Sequence, residues 1–312
     1  MFVIYDGSFA GLLTAVAWCL RRGCRPDAIL SESDQLPLLD SVTLPAEAGI
    51  RQLFGRHYRL QMGAEQAELV LDTAYRAWLS ELPGLGTAIH GFLAAALHER
   101  KDPSGRLTDP DVAAVAGAAR RVSGQAHQYL GLLRFRRVGP LLYLADFSPD
   151  YHVLPLILPH FADRLADQDF VICDRRRGIA AWHHADGLDA VGHPAAKHRP
   201  AVQRCTLHWL SDDDLQNTWS ESTALPAGAT MLMQPLISGG GLSDMAAGDP
   251  PSSTGFHQTA IAAAGRDDYE AMWREYLNRL TIPERRNLFL QRGNLPKKYR
   301  KFMTEFNHSQ PQ

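Results

Sequence analysis

Two hydrophobic periods share this chain, and the places where one gives way to the other predict its elements. Phe2 to Tyr5 is a short apolar run that stops at Asp6-Gly7. Ser8 then stands at an N-cap position before a helix in which Phe9, Leu12, Leu13, Val16 and Leu20 share one face; Arg21 and Arg22 complement the helix dipole at its end and Gly23 suits the C′ position. Ala28 to Pro45, with prolines at 26, 37 and 45, reads as a loop holding one short strand near Ser41 to Leu44. Helical spacing resumes over Ala46 to Phe54, Ala64 to Leu82 and Gly84 to Glu99, with Leu69, Thr73 and Ala77 on one face and Ile89, Leu93 and Leu97 on another. Asp109-Pro110 supplies an N-cap and first-turn pair for a long helix reaching about Leu133.

From Gln125 to His184 the period changes to two. LLRFRRV turns at Gly139-Pro140 into LLYLADF, predicting an antiparallel hairpin with one apolar and one cationic face. SPDYH leads into a helix through VLPLILPHFADRL, where Pro159 is expected to kink or wet the helix near His160. DFVICD then passes through Arg175, Arg176, Arg177 and Gly178 into GIAAWHH, a second hairpin. The order strand, strand, helix, strand, strand predicts an α+β protein: a small antiparallel sheet of hairpins packed with several helices, and a helical N-terminal half. Residues 1–184 form the expected core, and 185–265 a variable Gly/Pro-rich insertion or linker in which VQRCTLHWL and ATMLMQPLI are candidate edge strands. Residues 266–306 supply a C-terminal helix and basic tail that pack back on the core.

Composition bounds the function without naming it. With 312 residues, 45% hydrophobic, the chain can bury a core unaided. A formal charge of -2 means that any affinity for nucleic acid must come from a local patch. Such a patch exists between Ile282 and Lys301, where Arg285, Arg286, Arg292, Lys297, Lys298, Arg300 and Lys301 face Glu284 alone, interleaved with Phe289 and Tyr299. Arg134, Arg136, Arg175, Arg176 and Arg177 extend it if the tail docks beside the sheet; otherwise the tail is a solvated face. The four cysteines are scattered and fit a reducing compartment. The N-terminus lacks a basic leader and no stretch is long enough to span a bilayer, which predicts a cytoplasmic protein without membrane contact.

The candidate chemistry is sparse. Asp6, Gly7 and Ser8 open a helix whose free N–H groups suit an anion, or form a plain turn. Asp174 at a strand end beside three arginines is a general acid or base, or the anchor that orients Arg175 and Arg177. His160 and Arg164 lie one helical turn apart. Asp150, His152, His160 and Asp174 have ligand chemistry for a divalent metal, but no metal-binding spacing joins any two on one helix face, so no metal and no cofactor is expected. P-loop, G-x-G-x-x-G, G-x-S-x-G and C-x3-C-x2-C signatures are absent.

With YDGSFAGLLTAV at the start, LLRFRRVGPLLYLADFSPDYHVLPLILPHFADRLADQDFVICDRRRGIAAWH in the middle and MWREYLNRLTIPERRNLFLQRGNLPKKYRKFMTEF at the end, the chain resembles a bacterial family of DNA metabolism or repair proteins built on domain of unknown function 4130. Members are typically encoded beside a radical-SAM protein of DNA repair or modification, and some carry a uracil-DNA glycosylase-like domain after the shared one. The family's motifs fall here on Tyr5, Asp6, Gly7 and Ser8; on Arg134 and Phe135; on Pro149, His160, Phe161 and Arg164; on Asp174 and Arg176; and on Trp273, Tyr276, Ile282, Arg285, Asn287, Gln291, Pro296, Lys297 and Tyr299. Two positions depart from it: Gln125 stands where the resemblance implies Glu, and the tail opens Asn287-Leu288 in place of Asn-Pro. The resemblance implies a DNA-associated accessory protein whose partners are DNA and a separate radical-SAM protein, any glycosylase acting in trans. The alternatives are a stand-alone metal-assisted enzyme using Asp150, His152, His160 and Asp174, and a protein-interaction scaffold docking through Trp273 and Tyr276.

Overall fold

The computed structural model describes residues 1–34, 40–137, 142–183, 185, 205–209, 230–232, 295, 297–300 and 302. The chain divides into two compact units, residues 1–125 with 150–153, and residues 126–149 with 154–312. The expected core 1–184 is thus shared between units, and the boundary falls inside a helix where the sequence shows no break.

The first unit opens with β1 (Phe2–Tyr5), α1 (Phe9–Arg22), β2 (Ala28–Ser31) and β3 (Ser41–Leu44). The strands form a parallel sheet in the order β2-β1-β3, with Val3 opposite Ile29 and Val42. β2 lies in the stretch expected to be a loop. Its Ile29 side chain is buried, and pairing with β1 stabilises a run too short for its own pattern to mark. α1 follows the sequence reading closely: the Ser8 side chain accepts the Gly11 N–H, and Gly23 ends the helix at φ 60. Helices α2 (Ile50–Met62), α3 (Ala64–Trp78) and α4 (Leu85–Glu99) complete the layer. The buried face of α3 is Ala67, Val70, Ala74 and Ala77, while Leu69 is exposed, so the helix is rotated from the face expected. Small residues on that face allow close packing against α2 and α4. α4 covers the outer edge of β2, where the Ile29 N–H is satisfied by the Thr87 hydroxyl at 2.9 Å.

α5 (Pro110–Leu132) begins as expected: the Asp109 carboxylate accepts the N–H groups of Asp111 at 2.9 Å and Val112 at 3.3 Å, with Pro110 between them. The second unit holds a six-stranded sheet in the order β4-β5-β6-β7-β8-β9, built from β4 (Arg136–Arg137), β5 (Leu142–Phe147), β6 (Asp169–Asp174), β7 (Ile179–His183), β8 (Cys205–Trp209) and β9 (Thr230–Leu232). Both hairpins form, but β5 and β6 are parallel because α6 (Leu154–Arg164) crosses between them, so the sheet is mixed and not antiparallel. α6 runs through Pro159, which leaves the Pro155 carbonyl without its intrahelical donor. Its inward side chains, Leu154, Ile157, Leu158 and Phe161, are buried; Phe161 meets Phe135 edge-on, and Phe135 meets Phe170 likewise. The candidate strands in the expected insertion both exist, as β8 and β9. The fold is α+β, with a mainly helical N-terminal half, and no helix among the described residues is long and apolar enough to cross a membrane.

Two predictions follow from the first unit. A Cβ added at Gly86 would lie 2.7 Å from the Ile29 carbonyl oxygen, whereas at exposed Gly124 it would meet nothing within 4 Å. Gly86→Ala should therefore lower stability by about 1–3 kcal/mol by forcing α4 off β2, and Gly124→Ala should raise it by about 0.5–1 kcal/mol; urea midpoints at constant slope measure both. His90 on α4 is buried, and among the described residues neither ring nitrogen has a hydrogen-bond partner. Burial first, then the neighbouring Arg25 guanidinium, push its pKa below the usual 6.5, against a smaller opposing effect of Asp111. The neutral ring is thus favoured in the folded chain, its contribution being present above pH 6.5 and lost as pH falls below it. Thermal midpoints between pH 7 and 5 should fall less steeply in His90→Leu than in the parent.

Candidate functional site

Three arginines of the second unit, Arg136, Arg175 and Arg177, converge on two aspartates at the carboxyl ends of adjacent parallel strands. Asp146 on β5 lies opposite Cys173 on β6, and Phe147 opposite Asp174. The turn Arg175 to Gly178, closed by Gly178 at φ 63, carries the chain from β6 into β7. Arg175 continues the parallel ladder by donating its N–H to the Phe147 carbonyl at 2.9 Å, which aims its guanidinium at Asp146, Nε to Oδ1 at 2.5 Å. Arg136 reaches the other oxygen of Asp146 at 3.7 Å. Asp174 is 0% exposed and accepts the N–H groups of Arg176 at 3.0 Å and Arg177 at 3.3 Å on one oxygen, and the Arg177 guanidinium at 2.9 Å on the other. Arg177 also donates to the Pro149 carbonyl at 3.2 Å.

Burial pushes the Asp174 carboxyl above its ordinary range, while the Arg177 guanidinium and the two backbone N–H groups draw it back. This is the geometry of an anchor: every oxygen of Asp174 is committed to ordering the turn. It orients Arg177; the partner of Arg175 is Asp146, a residue the sequence reading did not single out. At this arginine rim Arg176 is exposed and Arg136 half-buried.

Other expected residues take different places. Arg134 donates to the carbonyls of Gly131 at 2.7 Å and Leu133 at 3.3 Å, capping the end of α5. Tyr299, expected to stack on a base, is 5% exposed; its ring meets Tyr129 edge-on and its hydroxyl donates to Gln128 Oε1 at 3.0 Å, so it is a packing residue of α7 (Lys297–Arg300). Lys297 is exposed, and Arg300 donates to the Leu295 carbonyl. Arg285, Arg286, Arg292, Trp273 and Tyr276, and the side chain of Lys298, lie outside what is described.

His160 and Arg164 are exposed on α6 and do not join Asp174. Neither is among the hydrogen-bond partners of Asp174, which are Arg176 and Arg177. Among the described residues no three His, Cys, Asp or Glu side chains are grouped to hold a metal.

In the first unit, Asp6 Oδ1 accepts both the N–H of Ser8 at 2.9 Å and its hydroxyl at 2.7 Å, and a Cβ at Gly11 would strike that oxygen. The turn Asp6-Gly7-Ser8 is thus closed on itself by the Asp6 carboxylate. Gln125 is buried; its amide donates to Asp150 Oδ2 at 2.9 Å and accepts the Tyr151 N–H at 2.8 Å. A Glu here would set two carboxylates face to face, so Gln125 positions the 150–153 segment and is no catalytic acid.

The anchor reading has a direct test. Arg177→Met leaves the Asp174 carboxylate buried without its guanidinium and should cost about 3–5 kcal/mol at pH 7. With the carboxyl's folded pKa raised further above its unfolded value, stability should recover as pH falls toward the ordinary carboxylate range, and adding Asp174→Asn should restore part of it at pH 7. A single variant as stable as the parent in urea would remove the anchor.

No characterised protein and no solved structure matches the chain. Residues 83–305 match the profile of a family described only as a domain of unknown function, DUF4130. The match takes in the arginine rim and the C-terminal tail but not the Asp6-Gly7-Ser8 turn. Since it covers well over half of the sequence, the chain belongs to the DUF4130 family.

Proposed function

We propose that this protein is a DNA-associated accessory factor of DNA repair or modification, and that the rim of its six-stranded sheet grips the phosphate backbone. The observation that carries the reading is the pre-ordered turn at Asp174. Two carboxylates hold Arg175 and Arg177 in place, so the exposed residue Arg176 stands on a fixed turn with Arg136 at the same rim. A cation fixed in advance loses less entropy on meeting a phosphate than one on a mobile loop. Lys297 supplies a further exposed cation. Phosphate contacts of this kind position a duplex or a single strand without reading sequence. Action with a separate radical-SAM enzyme rests on the resemblance of the central and terminal blocks, and such an enzyme would supply the reaction chemistry.

The test is the salt dependence of binding to single-stranded and duplex DNA, measured for the protein alone and with the radical-SAM partner. Arg176→Ala should weaken binding evenly across sequences and reduce the slope of log K against log salt by about 0.9 for duplex. Arg56→Ala, an exposed arginine of the first unit, should leave both unchanged. Equal affinity and slope for the parent and Arg176→Ala would end the proposal for this rim.

A further inference from the structure

A cleft of about 270 Å³ opens at the carboxyl ends of β1 and β2 in the first unit. Parallel sheets leave a crevice at that end, because the chain must climb away from each strand before returning. Tyr5 closes the end of β1 and Ser31 the end of β2; Trp78 ends α3, and Leu85, Gly86 and Ile89 come from the start of α4. His152 completes the lining, held there by its N–H to the Leu79 carbonyl at 2.9 Å and by the Gln125 bridge to the same segment. Two glycines let the walls close: at Gly7, φ +80, a Cβ would sit 3.1 Å from Ser31 Oγ, and at Gly86 it would meet the β2 backbone.

Asp34 and Glu81 are the carboxylates of the described lining. Asp34 Oδ2 accepts the Ser31 N–H at 2.8 Å, and the hydroxyls of Ser31 and Ser33 are 2.9 Å apart. Glu81, on a left-handed backbone at φ 54, stands at the mouth. Among the described lining residues there is no lysine or arginine, and the Asp34 carboxylate beside the Ser31 and Ser33 hydroxyls disfavours a phosphate there. Tyr5 is a neutral phenol at physiological pH, its pKa pushed up to about 12 chiefly by burial. Tyr5 and Trp78 offer aromatic surface beside acceptors that suit hydroxyl donors.

We infer that this cleft binds an unphosphorylated nucleoside, its ribose diol donating to Asp34 and the Ser31/Ser33 hydroxyl pair and its base lying against Trp78 and Tyr5. A vicinal diol matches the two oxygens of a carboxylate, and an acid just beyond the second strand of a parallel sheet is placed for that task. The volume holds one nucleoside and not a dinucleotide. The described lining belongs to the first unit, so the site stands or falls apart from the arginine rim.

Titration calorimetry of the full chain with adenosine, guanosine, cytidine and uridine tests it. At least one nucleoside should bind; its 5′-monophosphate should bind at least tenfold more weakly, and its 2′-deoxy form about tenfold more weakly for the lost hydroxyl. Ser33→Ala and Asp34→Asn should each weaken binding tenfold or more, the Asn keeping an acceptor for the Ser31 N–H. Unchanged urea midpoints would show that the fold is intact, and Ser33→Ala, which removes one exposed hydroxyl, keeps the test valid if Asp34→Asn unfolds. Binding by no nucleoside overturns the inference. So does a monophosphate that binds as tightly, or affinity unchanged in Ser33→Ala.

Discussion

A carboxylate leaves water completely only where cations and N–H donors come with it, and Asp174 imposes that condition on the second unit. Its neighbours answer in order. The turn after β6 folds back so that two backbone N–H groups reach one oxygen, and Arg177 reaches the other. The same fold-back places Arg175 over Asp146 on the adjacent parallel strand. The parallel pairing of β5 and β6 is what brings the two acids to one edge, and α6 is what makes the pairing parallel. Crossover, register and charge are therefore one arrangement, in which Arg175 and Arg177 are structural and Arg176 is exposed.

Gln125 makes a parallel point in the first unit. A buried primary amide is both donor and acceptor, and it uses one of each, toward Asp150 and Tyr151. Neither Glu nor Leu satisfies both partners. The residue that departs from the pattern implied by the resemblance thus has a local explanation that needs no catalysis.

What could be read in the sequence was the chemistry of element ends. Ser8 and Gly23 bound α1, and Asp109 with Pro110 starts α5, because caps act within a few residues. The hairpin at Arg175 to Gly178 was legible for the same reason, as was the α+β class. Contacts made across the chain were not. Asp146 precedes Arg175 by 29 positions, and only the crossover joins them. Tyr299 looks like a stacking platform in a basic tail until Tyr129 and Gln128, far earlier in the chain, enclose it. Arg134 sits in a basic run yet gives one guanidinium nitrogen to carbonyls one and three residues back. In the cleft, Ser33 and Asp34 follow a strand that the proline-rich composition hid, so the site they line had no signature to find.

The bond between Thr87 and the Ile29 amide bears on association between copies of the chain. An outermost strand with open amides is a template for another chain's backbone. Here a single hydroxyl on a helix stands in for the missing neighbour, with the Gly86 backbone beside it too close for anything to enter. Loss of that hydroxyl would leave the Ile29 amide unsatisfied behind a seated helix, so the cost would fall on the chain's own stability and the border would stay closed.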